Sequence, residues 1–213
     1  FVLYRPYEKP DCSLAHGRRP ATTRPVYTVR CRHPHHAGHS GYDRLCDYIG
    51  EPIHVGRTVH FLGETLLRLP AKLTALYGGS FEYSRHDFVK ECQVVLHMAQ
   101  RRDCIYHFVY GEKSFKLLAH LHGMRGHRFV VTLHHPADHY RWLFRSMAHL
   151  RRVDCAIVLS STQRDFAESI VGAGKVAVVP HGVDIDFFQP RSGSVPPHAP
   201  RCVFAGDHMR DFE

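Results

Sequence analysis

The chain lacks several features that would settle its class at once. No apolar run resembles a membrane span or the hydrophobic core of a secretory signal. Lys and Arg never gather into runs of five or six, and no aromatics interleave them, which argues against a nucleic-acid-binding surface. The seven cysteines, at positions 12, 31, 46, 92, 104, 155 and 202, include no CxxC pair. That spacing argues against a zinc or disulfide-exchange motif and fits free thiols in a reducing, cytoplasmic compartment. The G-x-G-x-x-G fingerprint is missing too, which counts against a dinucleotide cofactor. No internal repeat is present.

What remains is an ordinary globular composition with a basic balance. The 213 residues are 44% hydrophobic and 23% charged, enough for one large or two small domains with a real core. The net charge is +8 with His neutral, and the pI is near 9.3. Such a balance suits anionic partners: phosphorylated ligands or acidic lipid head groups. It permits peripheral contact with an anionic membrane, although no basic amphipathic helix stands out to make it. Twenty histidines weaken any argument from a single one.

Taken in order, the chain alternates between strand and helix patterns. Residues 1–24 are Arg/Pro/Gly-rich and read as a loose leader. Pro25–Cys31 is a β-rich first strand, and Tyr42, Leu45, Cys46 and Ile49 mark a helix at i, i+3, i+4, i+7. A second strand falls within residues 52–61, interrupted by Gly56. Ser84 with Asp87 is an N-cap pair opening a helix to about Arg101. Cys104–Val109 is a strand, followed by a helix through Met124 that Gly123 and Gly126 close. Phe129–Leu133 is a buried strand, and Tyr140, Phe144 and Met147 face a core from the helix beyond.

Asp154–Pro190 is the most informative stretch. Asp154–Leu159 is an apolar run of the kind that fills a buried parallel strand. Thr162 with Asp165 then reads as an N-cap pair, and Phe166, Ala167, Ile170 and Val171 share one helical face. Gly172 and Gly174 stop that helix before the strand Val176–Val179. Four or five such alternations predict an α/β, Rossmann-like doubly wound parallel sheet over residues 25–190. Residues 191–200 form a Pro/Ser/Gly linker, and 201–213 begin another strand. Phe at position 1 and the stop just after that strand suggest a fragment of a longer protein.

The succession strand, S-x-T-Q-R, helix, strand, P-H-G-V-D-x-x-x-F-x-P over Asp154–Pro190 resembles the end of the N-terminal domain of a GT-B glycosyltransferase. It is most similar to the retaining, family 4-like group that uses activated sugar donors. The resemblance implies sugar transfer from a nucleotide-sugar donor to a carbohydrate or lipid-linked acceptor, with retention of configuration and no metal. It also implies that 201–213 begins a donor-binding domain and that the chain alone is inactive. Gly206-Asp207 stands where many relatives have Gly-Arg, which puts those donor contacts in doubt.

Candidate site residues follow from strand ends and from this resemblance. The loop holding Gly38, His39, Ser40 and Gly41 precedes a helix, where backbone N–H groups attract phosphate; in the family it faces the cleft. Thr132-Leu133-His134 fits the family's [ST]-x-H strand end, which places a His near the donor sugar, with His135 as the alternative. Either is equally a His capping a strand. Gly111, Glu112, Ser160, His181 and Gly182 lie at further strand ends and are expected to line the cleft. His33, His35, His36 and His39 lack the spacing of a four-ligand zinc site, so solvated or phosphate-contacting roles are expected. Two alternatives stay open: a non-catalytic Rossmann-like module binding a phosphorylated ligand, and a doubly wound enzyme such as a phosphosugar epimerase.

Overall fold

The computed structural model describes residues 24–30, 42–53, 72–73 and 83–182. The chain divides into two units, Phe1–Gly182 and Val183–Glu213, and every described residue belongs to the first. Most of the expected leader, the Gly38–Gly41 loop, the 191–200 linker and the strand in 201–213 lie outside the described residues.

Short apolar runs bounded by polar or Gly residues become the strands. β1 (Val26–Val29), β2 (Glu51–Pro52), β3 (Ile105–Phe108), β4 (Arg128–Leu133), β5 (Cys155–Val158) and β6 (Val176–Val178) form one sheet. Its order is β2-β1-β3-β4-β5-β6 and every pairing is parallel. This is the α/β, Rossmann-like sheet expected from the alternating pattern. Tyr106, Phe108, Phe129, Val131, Leu133, Ala156 and Val158 are buried in it. Phe115 closes over that layer, its ring 5.0 Å from Phe129 and 5.6 Å from Phe108. Burying such side chains contributes about 1.5–3 kcal/mol each.

Among the described residues the α-helices given bounds are α1 (Cys46–Ile49), α2 (Arg85–Ala99), α3 (Ala137–Leu143) and α4 (Arg164–Val171). α2 opens on the capping box anticipated at Ser84 and Asp87. Ser84 Oγ accepts from the Asp87 N–H at 3.3 Å, and Asp87 Oδ2 accepts from the Ser84 N–H at 3.0 Å. α4 turns Ala167 and Val171 into the core, with Phe166 and Ile170 packed beside them. Gly172 ends it at φ 105°, a left-handed conformation that suits a residue without Cβ. Among the described residues no helix is long and apolar enough to cross a membrane.

Local pattern departed from the structure at five places, one of them α3, which ends at Leu143 so that Phe144 and Met147 follow it outside the helix. The helix expected through Met124 is absent; Leu118–Leu121 and Met124–Gly126 are separate 3-10 turns. The N–H groups of Lys116 and Leu118 instead donate to the buried carboxylate of Glu91 on α2, at 2.9 and 2.8 Å. Phe115 takes a left-handed φ of 68°, which a continuing helix does not allow. The helix at Tyr42–Ile49 starts as a 3-10 turn, Tyr42–Leu45, and only Cys46–Ile49 is α-helical. The second strand pairs through Glu51–Pro52, while residues 54–61 lie outside the described residues. Finally, the turn before α4 is capped by Ser160 with Gln163, not by Thr162 with Asp165.

Glu91 holds the irregular segment against α2, so its removal strands two buried donors. Glu91→Ala is expected to lower unfolding stability by at least about 3 kcal/mol, measured by urea denaturation.

Candidate functional site

The order β2-β1-β3 makes the chain leave β1 toward one side of the sheet and β3 toward the other. That reversal opens a crevice beyond the carboxyl ends of β1 and β3, where open parallel sheets bind ligands. The segments after β3, β4, β5 and β6 deliver Gly111 and Glu112, His134 and His135, Ser160, and His181 and Gly182 to this edge.

Glu112 is at the centre. It is only 1% exposed. Its Oε1 accepts from the His134 N–H, from the His135 N–H at 3.4 Å and from the Tyr140 hydroxyl at 2.6 Å. Its Oε2 lies 3.4 Å from Nδ1 of His134. Burial opposes ionisation of this carboxyl, but the His134 ring, the Tyr140 hydroxyl and the His134 N–H outweigh it and hold the carboxyl down to about 2. Glu112 therefore positions His134, and does not face an open cleft.

A carboxylate beside Nδ1 keeps the proton on that nitrogen and leaves Nε2 as the acceptor. The His134 side chain is 7% exposed, and its Nε2 is buried with no hydrogen-bond partner among the described residues. Rings fix its plane. Tyr42 stacks on it at 4.2 Å and Tyr110 at 4.7 Å. His181 stacks in turn on Tyr42 at 4.3 Å and 5°. Burial, and then the charge of His134, lower the His181 pKa. Behind the site, His107 Nε2 lies 2.8 Å from Thr132 Oγ1, and burial, with His134 adding to it, pushes its pKa down to about 4. A neutral Nε2 on His134 accepts from a ligand hydroxyl, and a protonated one donates to an anionic oxygen.

The other expected residues divide by role. The His135 N–H also donates to the Tyr140 oxygen at 3.1 Å, and the His135 carbonyl accepts from Gln163 Nε2 at 2.7 Å. Its ring stacks on His139 at 4.2 Å and meets the Tyr140 ring edge-on at 6.0 Å. Gly111 approaches β4 so closely that a Cβ there would lie 2.9 Å from Val131 Cβ and 3.1 Å from Thr132 O. The Ser160 hydroxyl accepts from the Thr162 N–H at 3.3 Å and so caps the turn. Among the described residues nothing lies within 4 Å of where a Cβ on Gly182 would stand. Gly38, His39, Ser40 and Gly41, like His33, His35 and His36, lie outside the described residues. Among the described residues no group of three or more His, Cys, Asp or Glu can hold a metal ion.

Sequence reasoning passed over Tyr42 and read Tyr140 only as core. The one signal for Tyr140 is chemical: a buried tyrosine hydroxyl needs a partner. A second buried group supports the site from behind. Lys116 Nζ lies 2.6 Å from His149 Nε2 and 4.1 Å from the centre of the Phe144 ring. Burial lowers its pKa to about 7, with Glu91 and Glu112 pulling the other way.

Two outcomes follow for stability. The Glu112 pKa in the folded state lies below its ordinary 4.5, so the unfolded chain takes up the proton first as pH falls. Its stabilisation is complete above about 4.5 and lost toward about 2; acid titration of unfolding free energy should show this window, and Glu112→Gln should flatten it. Gly111→Ala forces the 111 backbone off β4 and should cost about 1–3 kcal/mol by denaturant unfolding.

No family model, no curated protein and no solved structure matches the chain.

Proposed function

We propose that this chain is the acceptor-binding part of a GT-B-type, retaining glycosyltransferase that takes a nucleotide-sugar donor. The observation that carries the reading is the buried Nε2 of His134, which has no hydrogen-bond partner among the described residues and belongs to an imidazole that Glu112 holds. A group so placed at a sheet switch point awaits a hydrogen bond from a ligand, since a buried polar atom left unpaired is costly. The parallel sheet and the motifs at Thr132–His134 and Asp154–Pro190 add to it. Basic net charge suits a donor bearing two phosphates.

In this reading the bond from the sugar C1 to the donor phosphate breaks as the acceptor oxygen bonds to C1 from the same face. The acceptor proton passes to the departing phosphate oxygen. His134 Nε2 holds a sugar hydroxyl so that C1 is presented correctly, and Glu112 keeps the ring from turning. Neither needs to change charge, and no metal is required. The acceptor is a carbohydrate or a lipid-linked sugar. Cys46, Cys92, Cys104 and Cys155 are free thiols, which suits a cytoplasmic setting where the membrane is met only peripherally.

The test joins binding and turnover. Nitrogen-15 spectra of the histidine rings should show His134 Nε2 shifting when nucleotide sugars or acceptor sugars are added. In the full-length protein His134→Ala should cut kcat/KM for sugar transfer by roughly a hundredfold, with the fold intact by circular dichroism. An unresponsive His134 ring across a panel of uridine, guanosine and adenosine diphosphate sugars would sink the reading. Ligand binding without transfer by the full-length protein would favour a non-catalytic module for phosphorylated ligands.

A further inference from the structure

Trp142 is the sole tryptophan of the chain, and it is 62% exposed on α3. An indole left in water at that extent is a natural contact surface. It does not stand alone. His139, itself 8% exposed, meets Trp142 edge-on with ring centres 3.9 Å apart, and stacks on His135 at 4.2 Å and 25°. His135 directly follows His134. The three rings form a file that leads from the candidate site outward along α3.

The file is anchored at its inner end. The His135 N–H is held by Glu112 and Tyr140, and its carbonyl by Gln163. Tyr140, on the same helix as Trp142, is 2% exposed. The backbone from which the indole projects is therefore anchored beside Glu112.

The surroundings decide what fits. Asp138 and Arg141, the neighbours of Trp142 on α3, are exposed and charged. Among the described residues Trp142 is the only exposed large apolar side chain of α3. A seven-residue helix with one exposed aromatic lacks the apolar stripe that a membrane surface or a docking helix requires. A pyranose ring matches better. Its C–H face lies on an indole, while its hydroxyl edge bonds to a carboxylate or guanidinium alongside.

We propose that Trp142, backed by the rings of His139 and His135, forms an outer subsite that stacks the second unit of an acceptor oligosaccharide whose first unit abuts the donor sugar at His134. This rests on the reading of the His134 edge as a sugar site. It adds that the ligand is an oligosaccharide or a glycan end, not a lone monosaccharide.

Because Trp142 is the sole tryptophan, its fluorescence reports on the subsite alone, while the His134 ring nitrogens report on the inner site. The chain is titrated with glucan, mannan and chitin oligosaccharides from monomer to tetramer, and separately with phosphatidylglycerol vesicles. Oligomers are expected to shift the emission to the blue and to bind about tenfold more tightly than monomers. Trp142→Ala should erase that gain by calorimetry, and Trp142→Phe should keep part of it. His135→Ala leaves the fluorophore in place and should also weaken oligomer binding, with circular dichroism checking each fold. A His134 response with silent emission overturns the subsite and leaves the inner sugar site standing. An emission change with no His134 response overturns its continuity with that site. Silence of both overturns both readings, and a response to vesicles alone overturns the sugar assignment in favour of a lipid surface.

Discussion

A carboxylate withdrawn from water persists only if its lone pairs are filled, and Glu112 fills them with groups from the end of β4 and from α3. It belongs to the segment after β3, yet it binds the backbone that ends β4 and the tyrosine that roots α3. One side chain thereby fixes where β4 stops, how α3 departs and how the His134 ring is turned. The aromatic contacts of Tyr42 and Tyr110 then act on a ring already held in place. Glu91 plays a parallel part on the other side of Phe115, gathering N–H groups that no helix or strand satisfies. Between them Lys116 brings a buried cation toward both carboxylates. Irregular backbone is thus paired without regular secondary structure, as buried N–H groups require.

Legibility of the sequence followed the range of the interactions. β3 to β6 were readable because each is a largely apolar run bounded by Gly111, His134, Ser160 or Pro180, and α2 because Ser84 and Asp87 are three residues apart. The segment after Glu112 was not, since its fate depends on Glu91, more than twenty residues upstream. The cap before α4 shows how close two local readings can lie. Ser160-x-x-Gln163 and Thr162-x-x-Asp165 both fit a capping pattern. Gln163 prevails, its amide bonding at once to the Leu159 and Ser160 N–H groups and to the distant His135 carbonyl. The site behaved alike. Glu112 and His134 could each be named as strand-end residues, but their pairing is a product of β3 lying beside β4.

The proposed chemistry asks little of His134 beyond a steady direction, and the structure around it supplies steadiness from three sources. A fixed carboxylate, two aromatic faces and a buried histidine–threonine contact behind it limit the ring to one orientation. Preorganisation of this kind lowers the cost of ordering the site when a ligand arrives. The outer rings of His139 and Trp142 extend the same surface without sharing its constraints, because Trp142 meets water.

The two adjacent histidines are held differently, and that difference bears on how such a scaffold diversifies. At position 134 both the backbone and the ring are tied to Glu112. At position 135 the peptide group is tied through its N–H and its carbonyl, while the ring stacks on His139 and meets the Tyr140 ring edge-on. Replacement at 135 therefore changes the outward surface and the edge contact with Tyr140, while the backbone ties to Glu112 and Gln163 remain. Selection for a new ligand can act there, one residue from the reacting edge, without eroding the geometry on which the edge depends.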